Sequence, residues 1–117
     1  MSRRVLACGG RAYFDSVRIW RELDALHEVD PISCLINGGA QGADDAVARW
    51  ARNRRVPCIT EKADWTSHGH AAGAIRNQRM LDEHRPDLVL AFPGGVGTAH
   101  MIRIARSADV SLIEIAR

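Results

Sequence analysis

Five short apolar runs of strand length, none of them alternating, punctuate the chain at 4–8, 33–37, 57–61, 87–92 and 110–115. A run that is apolar at every position has no face to turn to water, so it suits a parallel strand covered on both sides. Between the runs, apolar residues recur at helical spacing. Ile19, Leu23 and Leu26, with Trp20, mark a helix over about 15–28, and Ala43, Ala46, Val47, Trp50 and Ala51 mark one over 42–54. Ile75, Met80 and Leu81 do the same for 71–84, and Met101, Ile104 and Ala105 for 97–108. The order βαβαβαβαβ with short connections demands right-handed crossovers and an open, doubly wound parallel sheet. The expected fold is α/β, with about five strands in the order 3-2-1-4-5 between two helical layers. At 117 residues, 46% of them apolar, the chain suits one domain spanning 1–117.

Where three of these strands end, the sequence carries glycine pairs: Cys8-Gly9-Gly10-Arg11, Asn37-Gly38-Gly39-Ala40-Gln41-Gly42 and Pro93-Gly94-Gly95-Val96-Gly97-Thr98. Strands 1, 2 and 4 are the ones whose tips surround the switch point of a 3-2-1-4-5 sheet, where ligands bind in this architecture. Glycine admits a ligand close to backbone N–H groups, and the helix behind each loop turns its positive end to the same place. The pattern points to phosphate. It is neither a Walker loop nor the spaced dinucleotide fingerprint. In the third loop Pro93 stiffens the strand exit, Gly94, Gly95 and Gly97 free the amides, and the Thr98 hydroxyl can cap the helix or bond a phosphate oxygen. In the second, Asp44 and Asp45 fall in the first helical turn, where carboxylates either complement the dipole or, for Asp44, meet a ribose hydroxyl or a water.

Arg76 and Arg79 fall early in the fourth predicted element, where a cation opposes the helix dipole unless an anion lies nearby. Arg76 is the strongest phosphate candidate, and Arg79 has the alternative of reaching solvent. The segment 62–74 is long for a connection and is expected to fold over the strand tips. Its His68 and His70 lack a third metal ligand and read as ligand or loop contacts, so no metal and no cofactor are expected. The basic stretch Arg49–Arg55 suits a helix C-terminus and a solvated face. Cys8, Cys34 and Cys58 fit neither a disulfide framework nor a zinc spacing and are expected to be buried as small apolar residues, with Cys8 beside the site.

Sixteen basic against 14 acidic residues leave a net charge of +2, too little for a nucleic-acid surface. Six aromatic residues, with Trp20 and Trp50 expected inside, leave little for stacking single-stranded DNA. No apolar run approaches the roughly 20 residues of a membrane span, and the N-terminus enters a strand without a signal-peptide core. A cytoplasmic protein is expected, with no membrane partner and nucleic acid disfavoured.

Taken together, Gly9-Gly10-Arg11, the segment Gly38 to Asp44 with Trp50-Ala51, Ala63-Asp64-Trp65, His68-Gly69, Ala72-Gly73, Arg76-Asn77-Gln78-Arg79-Met80 and Phe92 to Ala99 resemble the YspA-like branch of the SLOG superfamily. That superfamily also holds the Lonely Guy phosphoribohydrolases and the Rossmann core of the DNA-processing protein A family. The resemblance spans nearly the whole chain in order. It implies a Rossmann-like fold, a nucleotide or nucleotide-derived ligand, and homo-oligomers built through helices flanking the site. The ligand-binding residues it implies, together with the loops above, are Gly9, Gly10, Arg11, Gly38, Gly39, Ala40, Gly42, Asp44, His68, Arg76, Asn77, Pro93, Gly94, Gly95, Gly97 and Thr98.

The Lonely Guy enzymes place a glutamate three residues after the threonine of the glycine loop and an Arg-Lys pair on the preceding helix. Here those positions hold Met101 and Arg76-Asn77. Cleaving an N-glycosidic bond needs a carboxylate to stabilise a cation-like sugar or to activate water, which methionine cannot supply. Two functions follow: a module that binds a nucleotide-derived molecule, or a nucleotide N-glycosidase whose carboxylate has moved to Asp44, Asp64 or Glu61.

Overall fold

In the computed structural model, which describes residues 3–117, a five-stranded parallel sheet carries helices on both faces. The strands are β1 (Arg4–Cys8), β2 (Cys34–Asn37), β3 (Cys58–Thr60), β4 (Leu88–Ala91) and β5 (Ser111–Glu114). Their order is β3-β2-β1-β4-β5, as the alternation of apolar runs predicts. The helices are α1 (Ser16–Val29), α2 (Ala43–Arg54), α3 (Trp65–His68), α4 (Ala72–His84) and α5 (Val96–Ser107), with a 3-10 turn at Gly69–Ala71. This is a Rossmann-like α/β fold. None of these helices is long and apolar enough to cross a membrane.

The pleat of β1 divides the core in two. Val5 and Ala7 face α1 and α2, joining Leu35, Leu88, Leu90 and Phe92 to Ile19, Leu23, Val47 and Trp50. Leu6 turns the other way and meets Ile36 and Val89 with Met80, Leu81, Met101 and Ala105 of α4 and α5. Each face therefore has its own apolar layer, and Val5, Leu6 and Ala7 are fully buried. Trp50 is buried too, its indole N–H donating to Asp24 Oδ1 at 2.8 Å. Met101 belongs to the second layer, so the side chain at the Lonely Guy glutamate position is spent on packing.

The outer strands depart from the sequence reading. Cys58 and Thr60 of β3, and Ser111, Ile113 and Glu114 of β5, are exposed, because an edge strand has a neighbour on one side only and the flanking helices do not reach over it. Cys58 is thus not the buried residue its apolar run suggests, while Cys34 is buried and Cys8 half-buried. Trp20 is likewise only partly buried, its N–H donating to Ala46 O at 3.1 Å.

Candidate functional site

The carboxyl ends of β1, β2 and β4 deliver their three loops to one edge of the sheet, and there the chain encloses a cavity of about 820 Å³. The loops touch through backbone. Gly10 donates its N–H to Pro93 O at 2.9 Å, and Gly10 O accepts from Ala43 N at 3.1 Å. A Cβ on Gly94 would lie 2.2 Å from Thr98 Oγ1 and 2.8 Å from Gly10 N. Gly42 has φ +74°, and a Cβ there would meet the carbonyl oxygens of Arg11 and Gly10 at 2.4 and 2.5 Å, so glycine is required. Gly95 and Gly97 are different: a Cβ on either meets nothing within 4 Å. These two open onto space, whereas Gly9, Gly10, Gly42 and Gly94 let loops approach one another.

Two of the helices that start at this edge begin on glycine with no capping side chain, α2 at Gly42 and α5 at Gly95. The carbonyl of Gly95 accepts from Ala99 N at 3.0 Å, while no side chain among the described residues answers the first-turn amides Val96, Gly97 and Thr98. Thr98 is buried beside Gly94 and does not cap the helix, which resolves its two possible roles against capping. Uncapped N–H groups and the positive end of the helix dipole favour an anion in front of them.

Arg76 reaches this space from α4. Its Nη1 donates to Gly38 O at 2.6 Å and its Nε to Asn77 Oδ1 at 3.0 Å. Asn77, buried, turns its amide N–H groups to Gly97 O at 3.1 Å and to His100 Nδ1 at 3.1 Å. This side chain ties α4 to the phosphate-suited turn. Arg76 forms no ion pair among the described residues, whereas Arg79 pairs with Glu61 at 3.2 Å. The two arginines that look alike in sequence thus separate, Arg79 meeting a carboxylate and Arg76 meeting the carbonyl oxygens of Gly38 and Glu61 and the amide oxygen of Asn77.

Asp44 is the buried acid of the cavity, 6% exposed, and accepts from Ala40 N at 3.2 Å. Burial raises its carboxyl from the ordinary 3.8 to about 6, against the opposing pull of the Ala40 amide and Arg76. Cys8, in the cavity floor, is pushed up to about 12 by burial and then by Asp44, so it stays a neutral thiol and no nucleophile. Burial and then the charge of Arg103 both lower the pKa of His100.

Of the residues singled out by sequence, the cavity brings together Gly9, Gly10, Arg11, Gly38, Ala40, Asp44, Arg76, Asn77, Pro93, Gly94, Gly95, Gly97 and Thr98. Gly39 and Gly42 line a separate hollow of about 370 Å³ with Phe14 and Arg49. His68 is exposed at the end of α3 and outside the cavity, where His70 stands instead. Glu61 also lies outside, engaged by Arg79 and by His84 at 2.8 Å, and Asp64 caps α3 by accepting from Ser67 N at 3.0 Å. Glu61, Glu83 and His84 lie close enough together for a cation, but Arg79 already supplies the positive charge there.

Sequence reasoning missed Trp65, His100, Arg103 and Arg117 as lining residues, and Asn37 as the support of the second loop. Fully buried, Asn37 holds Gly39 N at 2.8 Å through Oδ1 and bonds Thr60 Oγ1 at 3.2 Å. Asparagine at the end of an apolar strand was the available signal. His100 and Arg103 carry a fainter one, sitting three apart on α5 just behind the glycine loop. The segment 62–74 is partly helical, and Trp65 at its start lies under the Arg11 guanidinium at 5.1 Å, forming one wall.

An α/β domain that gathers glycine loops, uncapped helix ends and an arginine without an ion pair among the described residues at the switch point of its parallel sheet belongs to the class of Rossmann-like proteins. Sequence comparison places it within that class. The chain belongs to the YspA, cpYpsA-related SLOG family, whose profile matches residues 3–68. It is also similar to the Gene 61 protein of Mycobacterium phage D29, with 40% identity over 119 residues that cover 95% of this chain and 94% of that protein. The second likeness extends beyond the profile through α4 and the Pro93–Thr98 loop.

The buried Asp44 generates a stability prediction. Its folded pKa lies above the unfolded one, so between about pH 4 and 6 the folded state holds a proton that the unfolded state has lost. The stabilisation from that proton is complete below pH 4 and gone above pH 6, a difference of about 3 kcal/mol. Asp44→Asn should therefore melt several degrees above the unsubstituted protein at pH 7, and that gap should close by pH 4. Thermal melts across this range check it, and an equal gap at both ends would contradict it.

Proposed function

We propose that this protein binds a nucleotide or nucleotide-derived molecule, its phosphate held by the Val96, Gly97 and Thr98 amides and by Arg76. The observation that carries this reading is the coincidence, at one cavity, of an uncapped α5 with an arginine that has no carboxylate partner among the described residues. Fixed N–H groups and a guanidinium fork match phosphate oxygens without rearrangement. Gly95 and Gly97 leave the room, since no protein atom occupies the place of their Cβ. Arg11 on Trp65 and the half-buried Cys8 line space for the sugar and base. Membership of the SLOG family supports a nucleotide-related role.

Calorimetry with the common nucleoside 5′-monophosphates tests it. Arg76→Ala is expected to weaken binding at least tenfold and Gly95→Ala to weaken it without lowering the melting temperature, while Arg79→Ala, which removes a guanidinium held by Glu61, stays within about threefold. No binding by any of them to the folded protein would overturn the proposal.

A second reading, cleavage of the N-glycosidic bond, is favoured by one observation: Asp44 is the candidate carboxylate that lines the cavity, and its pKa of about 6 suits proton transfer near neutrality. It predicts release of free base and ribose 5-phosphate from a nucleoside monophosphate, falling by at least a hundredfold in Asp44→Asn. Binding without any release assigns the site to recognition alone.

A further inference from the structure

The cavity is more basic than one phosphate requires. Arg11, Arg76, Arg103 and Arg117 line it against the single carboxylate Asp44, and none of the four forms an ion pair among the described residues. Of the eleven arginines elsewhere, six are paired with carboxylates, among them Arg106, which neighbours Arg103 on α5 and bonds Glu114. The cations also divide in space. Arg76 bonds the loop after β2, on one side of the switch point, while Arg117 follows β5 at the opposite end of the sheet. Arg103 sits on α5, which packs on β5, and helical side chains lean toward the helix N-terminus, so it reaches back toward the Gly95–Thr98 turn.

Between the two groups stands Asn77, which fixes a third donor. Its Oδ1 accepts from Arg76 Nε, so its Nδ2 is the atom facing His100 Nδ1 at 3.1 Å. An amide nitrogen only donates, so His100 Nδ1 accepts and the ring carries its proton on Nε2. Burial and then the charge of Arg103 lower the pKa of the imidazole. His100 and Arg103 are one helical turn apart and line the same cavity.

We propose that His100, Arg103 and Arg117 form a second anion subsite, so that the ligand carries two phosphate groups, as in a nucleoside 5′-diphosphate. The inference rests on the reading of Arg76 and the α5 amides as the first phosphate site. A monoester brings at most two negative charges to a cavity with four arginines and one aspartate. A diphosphate brings a third, close to the local excess.

Calorimetry on the intact chain with the common nucleoside 5′-monophosphates and the matching 5′-diphosphates tests this. Inorganic pyrophosphate, run in parallel, tells recognition of the bare diphosphate from recognition of a nucleotide. The diphosphate is expected to bind at least tenfold more tightly than its monophosphate. Arg103→Ala should weaken the diphosphate at least tenfold more than the monophosphate, whereas Arg76→Ala weakens both alike. Equal affinities in the unsubstituted protein, or a preference unchanged in both Arg103→Ala and Arg117→Ala, would overturn the second subsite and leave the first standing. If neither class of nucleotide binds the folded protein, the first site fails and the second with it.

Discussion

Gly10 is the residue on which the loops of the cavity converge. Its N–H goes to Pro93 O at 2.9 Å, binding the first loop to the third. Its carbonyl takes Ala43 N at 3.1 Å and Tyr13 N at 3.2 Å, binding the first loop to the start of α2 and to its own continuation. These contacts need the backbones of Gly10, Gly42 and Gly94 within van der Waals reach of each other, which any side chain there would prevent. Because buried backbone groups must find partners, each of these bonds also settles where the next loop runs. The positions of Arg76, Asp44 and the α5 amides follow from that closure, since Gly38 O and Gly97 O are the acceptors that hold α4 in place.

The same closure leaves polar groups without protein partners at one edge of the sheet. Helices α2, α4 and α5 begin without side-chain caps, and an aspartate is buried where its charge is costly. Elsewhere the fold satisfies comparable groups: Asp15 and Asp64 cap α1 and α3, and Asn37 holds the amide of Gly39. Local departures from such satisfaction concentrate at sites that bind or react. Met101 shows the converse. By facing Leu6 and Ile36 it places its helix position in the core and leaves the neighbouring His100 as the polar group at the cavity.

How much of this was legible in the sequence depended on what carried each signal. Strand order and the placement of four helices followed from continuous apolar runs and helical spacing, with ends moved by one or two residues at most, while α3 and the 3-10 turn lie within 62–74, where the apolar pattern shows only a connection. The edge strands were misread because a run such as Pro57-Cys58-Ile59 looks the same whether one or both faces are covered, and only the count of neighbouring strands decides. The glycine loops marked the cavity, but not the division of labour within it, which depends on distances between loops far apart in the chain. Arg76 and Arg79 could be flagged together by their place on α4, yet only the fold shows that Glu61 claims the second. Arg117 carried no local signal, because it lines the cavity through the parallel pairing of β5 with β4.

Nitrogen-proton correlation spectra of the labelled protein, titrated with a nucleoside 5′-monophosphate, address the central claim most directly, because they read each amide separately. The largest shifts are expected on Val96, Gly97 and Thr98 and on the Arg76 side-chain N–H, with the sheet core unmoved. Shifts confined to the hollow near Phe14 and Arg49, or spread evenly over the surface, would contradict it.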